Sequence, residues 1–494
     1  MGSVHDIQEG ESGRLAQFRL RWIAIGLVAA GALQLLPPPT GLPPEGWAVA
    51  SLFVLMMIWW VTEAVPIPVT SLLPLIVLPV AGILDIRSAG APFASPIVIL
   101  LFGGFVIAKS VERWNLHTRI ALAIVARFSG HPAALVGGFM LAAAVLSMWI
   151  SNTATAIMLM PIALSVAQRL GGEAWRGGAL APALILGIAW ACSIGGIGTP
   201  VGTPTNLIVI GYTEAEFGRS IGFAEWMQYG IPMVLILLPL AWALLSLRLK
   251  RGGAGAGAGG TVIAEARAAL GPVSTPERRV AATFAFVALL WIFRRPLGEL
   301  EIFGTVPFAG LTDHIIAVLG AVLLFLIPAG TGKREALLDW DSAERIPWGV
   351  LLLFGGGLSL AAGITASGLG GWLGDHLAGL TSLPLLLLIG ALVTFVIFFT
   401  EIASNVATAS ALMPVIGAVA AASALDPLLM ALPVAVAASC AFMLPMATGP
   451  NAIAYAQGVF TMGRMARAGF ALNLLAIVSI SLFSAWALPR LLLP

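Results

Sequence analysis

Apolar runs dominate the chain, and the polar stretches between them are short. Ile23–Leu36, Leu52–Val61, Leu72–Ile83, Met233–Leu247 and Ile315–Ile327 are almost unbroken. Many such runs extend toward the ~20 residues that a helix needs to cross a bilayer. The pattern predicts spans near residues 20–36, 46–62, 66–84, 92–108, 177–211, 226–247, 275–293, 313–328, 345–366, 426–457 and 465–490. Two further apolar segments, 131–170 and 382–423, are interrupted at their midpoints by small polar residues. Each is long enough for two half-crossing helices joined by a turn at mid-depth, so both are read as re-entrant hairpins.

The two interruptions are spelled alike. SNTATAIMLMP (Ser151–Pro161) returns as SNVATASALMP (Ser404–Pro414), 253 residues later. ILLFGG (Ile99–Gly104) returns as LLLFGG (Leu351–Gly356) after 252 residues, and GTPTNLIVI (Gly202–Ile210) is echoed by ATGPNAIAY (Ala447–Tyr455) after 245. Three matched blocks in one order mark an internal duplication. The Gly/Ala-rich stretch Arg251–Pro272 between the halves reads as a flexible linker. The predicted organisation is an N-terminal tail and first span over 1–45, a first repeat over 46–250, a linker over 251–274 and a second repeat over 275–494.

Composition turns this pattern into a fold class. The 494 residues are 59% hydrophobic and only 10% charged, against roughly a quarter charged in a soluble domain, and the mean hydropathy is +0.99. This is an all-α polytopic membrane protein of about 11 transmembrane helices plus two re-entrant hairpins. The net charge of +2 comes with no basic, aromatic-interleaved patch, so nucleic acid is not an expected partner. The two cysteines, Cys192 and Cys440, lie in apolar segments and read as small core residues rather than a disulfide framework. The polar N-terminus has no small-residue cleavage site after the first apolar run, which is read as a retained span. With the N-terminus cytoplasmic, 20 of the 25 Lys and Arg residues fall inside. That asymmetry orients the chain in a cell inner (plasma) membrane. It also makes the two hairpins enter from opposite faces, so the repeats are expected to be inverted.

Within lipid, backbone leaves helical geometry only where protein or a water-filled cavity satisfies it. A Ser-Asn-Thr turn at mid-depth ends one half-helix, exposing carbonyls, and starts another, exposing N–H groups. Carbonyl, Ser and Asn oxygens suit a hard cation, while N–H groups and the Asn amide suit an anion. Each hairpin is accompanied by a second break, GIGTPVGTPTN (Gly196–Asn206) and LPMATGPN (Leu444–Asn451). Discontinuous segments at corresponding points of two repeats point to a transporter's binding site.

These motifs, with WWVTEAVPIPVTSLLP (Trp59–Pro74), resemble the divalent anion:sodium symporter family over nearly the whole chain. The resemblance implies sodium-coupled symport of C4-dicarboxylates by alternating access, with citrate or sulfate transport, or dicarboxylate exchange, as alternatives on the same fold. It implies a first sodium site from Ser147, Ser151, Asn152 and the Gly202 carbonyl, and a second from Thr400, Ser404, Asn405 and the Ala447 carbonyl. Ser147 and Thr400 each precede a motif serine by four residues, one helical turn on the same face. Substrate carboxylates would lie between the tips, near Ser151, Asn152, Thr153, Ser404, Asn405, Val406, Thr448 and Gly449. The resemblance further implies a homodimer. Two departures bear on the substrate: Val406 replaces a hydroxyl where the first repeat has Thr153, and Gly449 stands at a position open to proline in the family.

Other polar residues read as structural. Glu63 and Glu401 are expected to be buried, each capping a nearby half-helix. Asp313 and His314 are expected at an interface, and His117, His131 and His376 have no ligand spacing. Lys109–Phe128 reads as a helix on the cytoplasmic surface. No nucleophile–base constellation is present, so the chain is not expected to be an enzyme.

Overall fold

The computed structural model describes residues 2–128, 130–247, 249, 256–377, 379, 383–422 and 425–492. The chain opens with α1 (Gly2–Leu35) and α2 (Pro44–Thr62), followed after short helical turns by α3 (Pro96–Arg113) and α4 (Leu116–Val125). The site-bearing helices come next: α5 (Pro132–Ser147), α6 (Asn152–Gly171), α7 (Leu180–Gly196), α8 (Pro204–Phe217) and α9 (Phe223–Ser246). After α10 (Ala256–Ala269), the second half holds α11 (Thr275–Ile292), α12 (Asp313–Leu326), α13 (Trp348–Ala366) and α14 (Leu369–Leu377). It continues with α15 (Leu385–Thr400), α16 (Asn405–Ala422), α17 (Leu428–Ala438), α18 (Gly449–Ala456) and α19 (Met462–Leu492).

Both SN motifs fall in helix–turn–helix units, with α5 and α15 stopping four residues before α6 and α16 begin at the motif asparagines. The apolar segments 177–211 and 426–457 are not continuous helices. Each breaks, the first between α7 and α8 and the second between α17 and α18, at the Gly/Pro-rich stretches where proline removes a ladder donor. Among the described residues seven helices are long and apolar enough to cross a membrane, and several others fall short, α5, α7, α15 and α17 among them. The stretch 66–84, expected as one span, is instead two short helical segments, Ile67–Thr70 and Pro74–Val80. Residues 251–255 of the linker lie outside the described residues, and the linker's next part, α10, is helical and packs against α6 with Ile263 buried.

Burial separates two kinds of helix. All of α17 and all of α7 except Leu180 and Pro182 are buried, as expected for helices that are apolar all round. By contrast α1 leaves Leu20, Leu27, Val28 and Leu35 exposed. The first arms of the broken helices therefore run through the interior; the first break is buried except for Val201, while the second exposes Met446. Trp190 of α7 and Phe442, in the break after α17, meet edge to face at 6.0 Å, and the indole N–H donates to the Phe442 carbonyl at 3.2 Å. That contact ties α7 to the second break.

One expectation about buried acids fails. Glu63 is exposed, in a left-handed conformation (φ 48°) at the C-terminus of α2. The α2 segment is apolar up to that residue, and a charged side chain at its end turns outward rather than pay for desolvation. Glu401 is buried as expected, at 3% exposure.

Candidate functional site

The site is two copies of one hydrogen-bonding pattern. At the first tip, the Ser147 hydroxyl, in the last turn of α5, lies against Asn152 Oδ1 and is 2.8 Å from the Cys192 carbonyl of α7. At the second tip, the Thr400 hydroxyl lies 2.9 Å from Asn405 Oδ1 and 3.0 Å from the Ala438 carbonyl of α17. The breaks match as well. Asn206 Nδ2 donates to the Gly196 and Thr199 carbonyls at 2.9 and 2.8 Å, and Asn451 Nδ2 to those of Ala441 and Leu444 at 3.0 and 3.1 Å. In both repeats an asparagine at the start of the second arm satisfies carbonyls that the break strips of helical partners.

Proton counting shows what such a cluster can hold. A serine or threonine hydroxyl has one hydrogen, yet each of these faces two acceptor oxygens. Asn206 Oδ1 and Asn451 Oδ1 are buried with no hydrogen-bond partner among the described residues. Each tip thus brings two acceptors to one proton, and each break adds a buried acceptor without a partner, which is costly. A cation resolves that excess. The donors are neutral hard oxygens, and among the described residues no group of three or more His, Cys, Asp or Glu could hold a metal ion. The chemistry fits an alkali cation rather than a transition metal.

Not all expected ligands stand together to the same degree. A Cβ on Gly196 would meet Asn152 Oδ1 at 3.0 Å and the Gly202 carbonyl at 3.2 Å, so those two oxygens face the same glycine. Ser151 caps α6 without a side-chain hydrogen bond and is exposed. In the second repeat the Ser404 hydroxyl accepts from Ala407 N at 3.3 Å, and Ala447 is buried at the end of a 3-10 turn directly before Thr448. Thr153 and Gly449 are brought face to face: a Cβ on Gly449 would collide with the Thr153 hydroxyl. Glycine at 449 lets the Thr153 hydroxyl turn toward the second break, and a Cβ there would make it turn aside. The Thr448 hydroxyl accepts from Asn451 N at 3.2 Å and so caps α18. Val406 is partly buried and packs on the apolar core.

Several participants escaped the sequence reading. Thr199 donates its hydroxyl to the Met148 carbonyl, closing the first tip onto its break. At the equivalent of Met148 the second repeat has Glu401, whose carboxylate accepts from Phe442, Met443 and Leu444 N at 2.7, 2.9 and 3.0 Å and from Asn473 Nδ2 at 2.8 Å. Asn206 and Asn451 could have been singled out, since each closes a quoted motif. Asn473 and Trp190 carried no local signal.

The family scan matches residues 19–492 to the sodium:sulfate symporter transmembrane region. The chain belongs to this symporter family. Among curated proteins it is 39% identical over 468 residues to the sodium-dependent dicarboxylate transporter SdcS of Staphylococcus saprophyticus, covering 93% of this chain and 89% of that protein. It is 38% identical over 481 residues to SdcS of Staphylococcus aureus, covering 95% and 92%. Two solved structures share the fold. One is the YdaH transporter of Alcanivorax borkumensis, with TM-score 0.55, 16% identity and coverage of 81% and 86%. The other is MtrF of Neisseria gonorrhoeae, with TM-score 0.58, 13% identity and coverage of 96% and 94%. The symporter is thus a multi-pass membrane transporter and not an enzyme, with sodium as its coupling ion.

Geometry at Gly202 supplies a test of the first cluster. A Cβ there would lie 2.5 Å from the Gly196 carbonyl and 3.0 Å from that of Met148. Gly202→Ala must push these oxygens apart, and the symporter is expected to need about tenfold more sodium for half-maximal uptake, the scale of a displaced ligand partner. Unchanged sodium dependence would detach Gly202 from the cluster.

Proposed function

We propose that the chain is a sodium-driven importer of four-carbon dicarboxylates such as succinate, malate and fumarate. The observation that carries this reading is the repeated hydroxyl–asparagine oxygen cluster, one copy per repeat, with Thr153 of the first tip facing Gly449 of the second break. The first sodium ion is held by Ser147, Ser151, Asn152 and the Gly202 carbonyl. The second is held by Thr400, Ser404, Asn405 and the Ala447 carbonyl. A dianion at mid-membrane is costly without compensating charge, and the tips and breaks contain no lysine or arginine. The bound cations supply that compensation, which makes uptake obligatorily coupled.

Two separated donor clusters suit a short molecule with a carboxylate at each end. Asn152 and Asn405 provide amide donors, Thr153 and Thr448 hydroxyls, and Val406 an apolar wall for methylenes. Sulfate would not use two clusters, and the third carboxylate of citrate would lack a cationic partner. The sequence relatives named as sodium-dependent dicarboxylate transporters support the same substrate class. α5 and α15, at 16 residues each, rise about 24 Å, short of the ~30 Å hydrocarbon core. This supports tips at mid-depth, and the Lys/Arg asymmetry supports hairpins that enter from opposite faces in inverted repeats, with alternating access around the tips. The N-terminus is placed in the cytoplasm by the Lys/Arg asymmetry, and the working unit is a homodimer.

Proteoliposome uptake of labelled succinate tests this. Uptake is expected with inward sodium and to fall to background in choline or potassium, and unlabelled malate and fumarate should compete. Equal uptake without sodium from vesicles preloaded with succinate would show exchange. Competition by sulfate or citrate, but not by malate or fumarate, would overturn the substrate.

A further inference from the structure

Away from the tips, two arginines stand over an apolar cavity, and we propose that this cavity binds the headgroup and upper acyl chains of an anionic phospholipid. The cavity, about 620 Å³, opens between the N-terminal end of α7, the C-terminal end of α9 and the start of α19. Leu186, Leu244, Leu245 and Phe460 form its apolar wall, and Arg464 and Arg467 line the same space. Both arginines are exposed and lie in the first two turns of α19. Three residues apart, they share a helix face. Arg467 Nε reaches only its own helix, at the Gly463 carbonyl (3.1 Å). The ion pairs among the described residues engage Arg113, Arg119, Arg219, Arg294 and Arg295 instead.

This placement selects the occupant. α19 carries an apolar membrane-crossing stretch, so its first turns lie at headgroup depth, and Leu186, six residues into α7, carries the apolar wall inward. Guanidinium forks match phosphate oxygens bidentately, and basic pockets between spans bind anionic headgroups. A free phosphate would leave the apolar wall uncovered, and phosphatidylcholine would bring its own ammonium against the two arginines. The lipid would clasp α7, whose Cys192 carbonyl faces the Ser147 hydroxyl, to α19, whose Asn473 holds Glu401. The inference rests on the membrane placement of the chain and is independent of its substrate.

The test is native mass spectrometry of the full chain, delipidated in mild detergent and titrated with phosphatidylglycerol, phosphatidylcholine or inorganic phosphate. Wild type is expected to retain phosphatidylglycerol and release phosphatidylcholine. Arg464→Gln/Arg467→Gln should weaken that retention about tenfold, each surface charge counting for a few-fold, while Arg464→Lys/Arg467→Lys keeps most of it. Ala468→Leu, which narrows the cavity with both arginines intact, should also lose retention. Equal retention by the Gln pair, equal retention of phosphatidylcholine by wild type, or displacement of the lipid by millimolar inorganic phosphate would each overturn the proposal.

Discussion

Asn152→Ala and Asn405→Ala are each expected to abolish sodium-driven uptake while the protein still reaches the membrane. Each carboxamide oxygen sits against the hydroxyl of the preceding half-helix, Ser147 in one repeat and Thr400 in the other. In the proposed site the same side chain's amide donates to a carboxylate, so one truncation would remove a cation ligand and a substrate donor together. Loss of an outer-shell partner alone costs about 10–100-fold in metal affinity, and a direct ligand should lie at or beyond the top of that range. The asparagines are half-buried at the tips rather than in the core, which is why folding should survive. Vesicle uptake at saturating sodium, with membrane abundance measured in parallel, checks both points. Normal uptake by either variant would remove that tip from the site. Ser147→Ala offers a graded comparison, since the Asn152 amide stays in place and sodium affinity should suffer more than succinate affinity.

Glu401→Ala should instead fail before transport can be measured. The carboxylate accepts four hydrogen bonds at 3% exposure, three of them from consecutive backbone N–H groups of the break after α17. Those groups have left helical geometry, with Phe442 buried and Met443 and Leu444 half-buried. Each buried donor orphaned costs about 1–3 kcal/mol, so the loss is expected to reach about 4 kcal/mol or more, a large share of the stability of any fold. Glu401→Gln should be much milder. Its oxygen can keep the three bonds made by Oε1, while its amide would face Leu444 N–H, a donor against a donor. The measurement is the yield of monodisperse protein and its melting temperature in detergent, with the expected order wild type, Gln, Ala. Wild-type melting of the Ala variant would show that the break does not depend on this carboxylate.

The contrast between the repeats explains why Glu401 is needed. The first break is held by Thr199 reaching the Met148 carbonyl and by Trp226 donating to the Ile197 carbonyl at 2.8 Å. The second has leucine where Thr199 would be, and the acid at the Met148 position does the holding from the other side. One local problem, a stretch of unpaired backbone in the interior, has two side-chain solutions.

Apolar run length, the duplicated SN motifs and the Gly/Pro-rich breaks determined the helical membrane fold, the turns at the two SN motifs and the interruptions in segments 177–211 and 426–457, though not the break within 66–84. Those are local properties: hydrophobic length, a proline without an N–H, an asparagine that can start a helix. The likeness of the two repeats was legible for the same reason, down to Ser147 and Thr400 one turn before each motif. Only the tertiary structure decided what these residues meet. The Cys192 and Ala438 carbonyls, the Asn206 and Asn451 clasps and the Trp190–Phe442 bond depend on which backbone atoms a fold brings within 3 Å, and any residue type supplies a carbonyl. Burial was likewise not a property of the residue. Glu63 and Glu401 follow apolar segments of similar character, yet one turns out to solvent at a helix end while the other turns in, because only Glu401 finds three backbone donors and Asn473 waiting for it.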